Sequence, residues 1–559
     1  MENKQVSRTL RLLSQLMELH EQNPFKIKSI ANAAFTIDKL PFSLKDKPQS
    51  ELESIQGVGK SIAAKVSELF ETGSIAEMNE LLAQTPEGVI EMLGIKGIGP
   101  KKIAVIWHDL GIENIGELYY ACNENRLVEA KGFGLKTQDD ISRMIEFKLA
   151  ANGKFIYARA EPIAKLLFEK LSLWLNQFFP APLLGIAGEM RRCCEIIDQL
   201  DLVVGVEDEA LFAEQLPGFE GISLTEVDAN KWSGITDEGL KVFVHIVPLA
   251  DFYINFFKFT GNDAHVAEVL KLAGPGSFSD ENEIYKKAGL QFIEPELRED
   301  LGELALAAKN ALPSLITVKD LKGSLHNHST WSDGVNTLEE MALFCKEVLK
   351  LAYLGISDHS KTAFYARGLT EQQIFRQHNE IDALNKKLSP FKIFKGIESD
   401  ILGDGSLDYD EHILKSFDFI VASIHSNLKM TEEKATTRLI KAIENPYTTI
   451  LGHPTGRLLL SRAGYTIDHK KVIDACAANN VVIEINANPL RLDLDWRWHR
   501  YATEKGVILS VNPDAHRCEG FYDMHYGVLA GRKGGLTANN CLNALSLEEI
   551  TAFFERKKS

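Results

Sequence analysis

The 559-residue sequence has no apolar run near the roughly 18–20 residues that a membrane-spanning helix needs, so no membrane partner is expected. Cysteine is sparse: seven residues, odd in number and scattered, with Cys193 and Cys194 adjacent and no CxxC pair. That pattern excludes a disulfide framework and a zinc ribbon, and it predicts a reduced, cytoplasmic protein. The opening segment MENKQVSRTLRLLSQLMELHEQ lacks the layout of a secretory signal and reads as an amphipathic helix. Low-complexity and collagen-like stretches are missing too, and 45% hydrophobic with 25% charged residues is the balance of a folded protein. At about 100–200 residues per domain, the length predicts three to five domains.

Positive charge is also short, with 62 Lys and Arg against 78 Asp and Glu. A net −16 argues against a generic binder of nucleic acid. The deficit is local: residues 151–300 carry 13 basic and 25 acidic residues, whereas residues 1–150 carry 18 and 21, and residues 301–559 carry 31 and 32.

Residues 1 to about 150 read as short helices separated by glycine turns. Gly57-Val58-Gly59-Lys60 and Gly97-Ile98-Gly99-Pro100-Lys101 each sit between apolar-periodic stretches, and Gly132-Phe133-Gly134-Leu135-Lys136 is a degenerate third copy. Glycines permit the bend and leave amide N–H groups bare at the next helix's start, where an anion is held well. Lys60 or Lys101 adds a point charge. The pattern resembles the helix-hairpin-helix motif, which holds DNA phosphates without reading sequence; Gly57, Gly59, Lys60, Gly97, Gly99 and Lys101 are the expected contacts, against the alternative of plain helical turns.

Residues 151–310 mix β-rich runs (APLLGIAG, DLVVGV, GISLTEV, KVFVHIVPL) with helical patterns, then a polar run, SFSDENEIYKKAGLQFIEPELRED, that reads as irregular and leads to a linker near Leu312–Lys322. From residue 323 seven β-like runs alternate with helical stretches: GSLHNHS, YLGISDHS, KIFKGIESDI, FDFIVASIHS, TTILGHPTG, VVIEINANP and VILSVNPDAH. Such alternation predicts parallel strands with right-handed crossovers, and chemistry at their carboxyl ends.

Six of those seven ends carry His or acid. They supply His326 and His328 with Asp333, then Asp358 and His359, Glu398, His425, His453, and finally Asp514 and His516. His326 and His328 are i and i+2 on a strand and share a face, as do Asp514 and His516. Imidazoles mixed with carboxylates suit Zn²⁺, Mn²⁺ or Fe²⁺ rather than Ca²⁺. About nine ligands exceed one ion's needs, so two or three metals fit, placed to activate water and clamp a phosphate ester. Any one of these histidines alone would read as an ordinary core or surface residue.

HNHSTWSDG, SDHS, GIESDI, ASIHS, GHPTGR and PDAH resemble the successive motifs of the PHP (polymerase and histidinol phosphatase) domain, a distorted (β/α)7 barrel with a three-metal centre that cleaves phosphate esters. The resemblance implies that His326, His328, Glu398 and Asp514 hold one metal, that Glu398, His425 and His453 hold a second, and that Asp333, His359 and His516 hold the third. It implies manganese, which ligand types alone do not choose. Asp358 is expected to orient a ligating histidine. Arg457 and Arg491 are expected to clamp phosphate through guanidinium forks.

Hairpin motifs, a β-rich middle and a PHP-like end, in that order, resemble bacterial family X DNA polymerases over nearly the whole chain. GEMRRCCEIIDQLDLVVG, FFKFTGNDAHVAEVLKLA and AGLQFIEPELREDLGE support it. The implied architecture is multidomain α/β: helix-hairpin-helix domains at 1–85 and 86–150, an α+β nucleotidyltransferase-like palm at 151–248, a thumb at 249–315 and the PHP barrel at 323–559. The family's palm reads Gly-Ser-x-Arg-Arg, six residues, then Asp-x-Asp. Here Gly188, Arg191 and Arg192 match, but Glu189 replaces the Ser, Gln199 replaces the first Asp, and Asp201 alone survives. Phe243 falls where the third carboxylate belongs. Nucleotidyl transfer needs carboxylates to hold two Mg²⁺. Asp198 and Asp201 are i and i+3, on opposite strand faces, so Asp198 is no substitute. The expectation is a DNA repair protein, monomeric, that acts on gapped, nicked or 3′-end DNA as a metal-dependent 3′–5′ exonuclease with a silent polymerase core. Its rivals are an active gap-filling polymerase with an unusual metal site, a histidinol-phosphatase-like enzyme of small molecules, and a DNA-binding scaffold without catalysis.

Overall fold

The computed structural model describes residues 2–45, 47–95, 97–128, 130–150, 153–228 and 230–558. The chain divides into two compact units, Met1–Glu146 and Phe147–Ser559.

The first unit is helical: α1 (Asn3–Leu19), α2 (Pro24–Asp38), α3 (Gln49–Glu53), α4 (Lys60–Thr72), α5 (Ala76–Gln84), α6 (Glu87–Met92), α7 (Pro100–Ala104), α8 (Ile115–Asn123) and α9 (Leu135–Ala150), the last running across the division. The opening segment is helical as its pattern requires: Val6, Leu10, Leu13, Leu16 and Met17 form one buried stripe, and Glu2 with Gln5 closes a capping box. Asn23 caps α2, with Pro24 at its first position. In the two hairpins Gly57 and Gly97 take left-handed backbone at φ of 87° and 98°, which a side chain would strain. Gly59 and Gly99 then cap α4 and α7. Lys60 and Lys101 are exposed beside them.

The second unit opens with a small ribbon of β1 (Phe155–Ile156) against β3 (Ile196–Ile197), separated by α10 (Tyr157–Phe178) and β2 (Leu183–Ala187). Strands β4 (Leu200–Val206), β5 (Leu224–Asp228), β6 (Lys231–Ile235) and β7 (Lys241–Pro248) join β2 in a five-stranded sheet of order β2-β4-β7-β6-β5. Strand β6 was not legible in the sequence, because its KWSGI carries neither a clean alternation nor an apolar run. Strand β4 is buried throughout. Leu200, Leu202, Val204 and Val206 pack with Leu167, Leu171 and Leu175 of α10, while Val203 meets Phe252 on the other face. Asp201 therefore lies on the face opposite α10.

Helices Phe252–Thr260, Asp263–Ala273, Glu281–Lys287 and Glu303–Ala307 share a core of Phe257, Val269, Ile284, Tyr285 and Ile293. The run read as irregular thus contains a helix, capped by Asp280, whose side chain accepts from the Glu283 N–H at 2.9 Å. Its charges are mixed in placement: Glu283, Lys286 and Lys287 are exposed, whereas one acid faces the core. Glu281 is buried, bridging Arg298 (2.6 Å) and Arg191.

The barrel strands β8 (Gly323–Ser324), β9 (Tyr353–Ile356), β10 (Lys392–Asp400), β11 (Phe419–Ser423), β12 (Ile450–Leu451), β13 (Val482–Asn486) and β14 (Leu509–Asn512) pair in chain order, all parallel. A bridge between Asn327 and Ala515, with the His328 N–H donating to the Ala515 carbonyl at 2.9 Å, nearly closes the ring. Strand β10 shows how the interior is layered. Ile393, Ile397 and Ile401 belong to the cluster under the surrounding helices. The alternate residues run from Phe394 in the apolar floor, past Gly396, to Glu398 and Asp400 at the mouth. Phe419 and Phe554 of the helix Leu547–Lys558 stack in that floor at 5.3 Å. Gly396 is required here, since a Cβ would collide with the Phe419 ring and the Ile356 carbonyl.

Gly396→Ala should therefore lower stability by about 1–3 kcal/mol in urea unfolding, the usual cost of overpacking, whereas Gly403→Ala, which meets nothing within 4 Å, should be near neutral.

Candidate functional site

The nine ligand candidates converge at the carboxyl ends of the barrel strands, and Glu398 is their centre. Its Oε1 lies 3.2 Å from His326 Nε2, 3.2 Å from His425 Nε2 and 3.0 Å from His453 Nε2. Its Oε2 lies 2.9 Å from His359 Nδ1 and 3.6 Å from His328 Nε2. Asp514 Oδ1 stands 3.0 Å from His328 and 3.5 Å from His326; Asp333 stands 3.5 Å from both His359 and His516. The backbone is strained where it turns two of these side chains inward, with φ of 54° at Asp514 and 21° at His453.

Two points differ from the expected division into three metal sets. His328 belongs also with Asp333, His359 and His516, and His359 belongs also with Glu398 and His425; in each set the donor atoms lie within 4.8 Å of one another. The donors are buried, except half-buried His425, and His326 Nε2, both ring nitrogens of His328, Asp333 Oδ2, His359 Nδ1 and Glu398 Oε2 make no hydrogen bond. Buried polar atoms aimed at one another without hydrogens between them are costly unless a cation joins them. The set is suited to holding divalent metal ions.

Charge and burial act against each other here. Burial alone would depress His326, His359 and His425, yet all three are raised well above the usual imidazole range: His326 by Glu484, Asp514 and Glu398, His359 by Asp333 and Glu398, and His425 by Tyr365, Glu398 and Asp400. Burial likewise opposes the ionisation of Glu398, Asp333 and Asp514, but the surrounding imidazoles hold these carboxyls well below their ordinary range. His328 falls to about 3, through burial and the neighbouring His516 and His359.

Two models of known domains match the first unit: a helix-hairpin-helix domain over residues 1–75 and a SAM-like helix-hairpin-helix tandem over residues 89–143. Along the whole of both chains the sequence is 34% identical to the DNA polymerase/3′-5′ exonuclease PolX of Bacillus subtilis (strain 168). The chain belongs to the PolX family. Its C-terminal region also resembles probable phosphatases: one of Caldanaerobacter subterraneus is 32% identical over 25% of this chain and 56% of its own length, and one of Vibrio atlanticus is 28% identical over 36% and 79%.

In the five-stranded sheet, the residues expected at a polymerase site are engaged with neighbouring side chains. Asp201 accepts from His245 Nε2 at 2.8 Å and from Gln199 Nε2 at 3.0 Å. Phe243 is the residue of β7 directly beside it, buried, with Lys231 and Lys241 over its ring at 4.1 and 4.7 Å. Glu189 accepts from the Asp198 N–H at 2.8 Å, and burial raises its carboxyl. Asp198 itself is exposed and 3.6 Å from Lys154. Arg191 pairs with Glu281, and Arg192 with Glu299 at 2.9 Å.

Three expectations need correction. Asp358 meets no imidazole; it accepts from the Ser329 N–H and hydroxyl at 2.8 Å, the Ser332 hydroxyl at 2.5 Å and Gln377 at 2.6 Å, and so fixes the loop that carries Asp333. Burial pushes its carboxyl up to about 6. Arg457 is no phosphate clamp, because its nitrogens bind Asp495 and the Arg491 and Leu492 carbonyls. Arg491 is buried, its backbone N–H donating to the Asn488 carbonyl at 2.8 Å. Third, the sixth strand is not devoid of chemistry. Glu484 of β13 accepts from His326 Nδ1 at 2.9 Å and from the His453 N–H at 3.0 Å, and Asn486, two residues on, donates to Asp514 at 3.1 Å. Their signal was present in VVIEINANP, where Glu and Asn fall on alternate positions of an otherwise apolar strand. Asp400, one turn of the pleat beyond Glu398, receives His425 Nδ1 in the same way.

Glu484→Gln should weaken metal binding about 10–100-fold by loosening His326, as read by competition with a metal-sensitive dye. A second outcome concerns pH. The metal-free protein gains stability from raised imidazoles, a gain complete below pH 6.5 and lost as pH rises through their folded values, so its Tm should fall from pH 6.5 to 9. Saturating divalent metal should reverse that slope, because protons and metal compete for the same nitrogens. Thermal unfolding with chelator and with added metal checks both signs.

Proposed function

We propose that the chain is a PolX-family DNA repair protein whose working chemistry is a metal-dependent 3′–5′ exonuclease at the barrel mouth, with the polymerase palm silent. The observation that carries this reading is the pairing of a complete, buried donor set around Glu398 with a palm in which Asp201 is tied to His245 and Gln199 and Phe243 replaces a carboxylate. The relatives' printed activities, a polymerase/3′-5′ exonuclease and probable phosphatases, agree with a phosphoesterase.

His326, His328, Asp333, His359, Glu398, His425, His453, Asp514 and His516 would hold the metals, three per site with manganese preferred. When bound, such ions supply water activation and charge neutralisation at a phosphate ester. The protein's own part is to present lone pairs. With Nδ1–H of His326 given to Glu484, and that of His425 to Asp400, each ring turns its Nε2 toward the centre. His516 Nδ1 donates to the Asp514 carbonyl at 2.9 Å with the same result. Asp358 keeps Asp333 in place through Ser329 and Ser332. The hairpins at Gly57–Lys60 and Gly97–Lys101 would hold the DNA backbone, since nothing lies within 4 Å of the space beside Gly59, Gly97 and Gly99. The domain limits that suit this division are 1–85, 86–150, 151–248, 249–315 and 323–559.

A 5′-labelled primer on a gapped template, with Mn²⁺ and all four nucleotides, tests the reading. The wild type should give a ladder of shortened products and no extension, and His328→Ala and Asp514→Ala should each lose the ladder by more than a hundredfold. Extension that survives in those variants would overturn the silent palm.

A further inference from the structure

The loop that leaves His359 holds one aromatic ring in solvent beside the proposed metal centre. Its base is closed: the Leu369 N–H donates to the His359 carbonyl at 2.8 Å, Ser360 bridges Leu369, and Gly368 lies so near Ser360 that any Cβ would collide with the Ser360 carbonyl. Its flank is fixed to the segment after β10. The Thr362 N–H donates to Asp408 at 2.7 Å, the Lys361 N–H donates to the Tyr409 hydroxyl at 3.0 Å, and that hydroxyl donates to the Leu369 carbonyl at 2.5 Å. Ala363, Ala366 and Leu369 are buried beneath it.

On this pinned loop a single 3₁₀ turn, Phe364–Ala366, ends at Arg367 in left-handed backbone (φ 56°). Tyr365 sets its ring edge to face with that of His359 at 6.2 Å. Phe364, the preceding residue, is 85% exposed. A lone exposed apolar residue ordinarily needs no explanation. This one differs in two respects. Its backbone is held by a full set of hydrogen bonds, so the exposure is fixed, and it stands on the strand-end face where substrate must arrive. Exposed Val335 follows Asp333, its N–H donating to the His516 carbonyl at 2.9 Å. A polar, cation-suited centre with an apolar, partly aromatic rim matches a ligand that joins a phosphate to a flat ring.

Building on the exonuclease reading, we propose that Phe364 is a stacking platform for the base of the 3′-terminal nucleotide, and so a specificity-determining residue that favours ends carrying a base. Every base offers a π-face, so the platform would be tolerant of sequence.

The test uses two 5′-labelled single strands, identical except that the 3′-terminal nucleotide is natural in one and an abasic tetrahydrofuran in the other, with Mn²⁺. The wild type should remove the natural end with a kcat/KM about tenfold higher, the scale of one base–aromatic stack. Phe364→Ala should bring that ratio to about one, chiefly by raising KM for the natural end, and Phe364→Trp should restore it. The Tm of both variants should equal that of the wild type, because the ring contributes no packing. A wild type that removes both ends equally, or a Phe364→Ala protein that keeps the preference, overturns the assignment while the exonuclease stands. A wild type that cleaves neither end overturns the exonuclease reading and this assignment with it.

Discussion

One buried carboxylate organises the barrel. Glu398 is surrounded by five imidazoles from the ends of four strands or their following loops, all within hydrogen-bond or near-contact range of its two oxygens. Such a cluster is costly to bury, since several of its ligand atoms lose water and gain no hydrogen bond in return. Its assembly therefore needs support from further out. Glu484, Asp400 and Asn486 fix the rings and the neighbouring carboxylate, Asp358 fixes the loop of Asp333, and the apolar floor of Phe394, Phe419 and Phe554 keeps the strands at their spacing. Gly396 lets the floor rise beneath Glu398 without a clash.

The same logic explains the acidic middle of the chain. A segment with 25 acidic residues suggests a solvated, repelling surface. Several of these carboxylates are instead buried and paired. Glu281 joins Arg191 and Arg298, and just beyond the segment Glu303 receives His265 at 2.6 Å. Others tie the palm and thumb to the barrel: Glu195 accepts from Trp496 at 3.0 Å and Arg497 at 2.9 Å, Glu296 pairs with Arg532 at 2.7 Å, and Glu299 pairs with both Arg192 and Lys533. Charge here serves as internal connection.

Helix-hairpin-helix segments, the parallel barrel and the set of candidate ligands that converge at its mouth were all legible, for one physical reason. Period and spacing are local: glycines at a turn, apolar residues every three or four, and His-x-His on a strand each declare a face without reference to the rest of the chain. That Gln199 and Phe243 offer no carboxylate was legible too. The helix Glu281–Lys287 was not, because its buried face includes a charge, Glu281, whose partners Arg191 and Arg298 stand far off in sequence. Arg457 looked like a phosphate fork for the converse reason: its partner Asp495 is 38 residues away.

What the sequence by itself determined is which residues can ligate, stack or turn, and which strand ends carry them. Tertiary structure alone decided which of them meet. That His328 faces two ligand sets, that Glu484 rather than Asp358 orients an imidazole, and that Phe364 stands in solvent while Tyr365 turns to His359 all depend on the closure of seven strands into a ring. Closure brings together positions more than a hundred residues apart, and no local periodicity encodes a distance across a barrel.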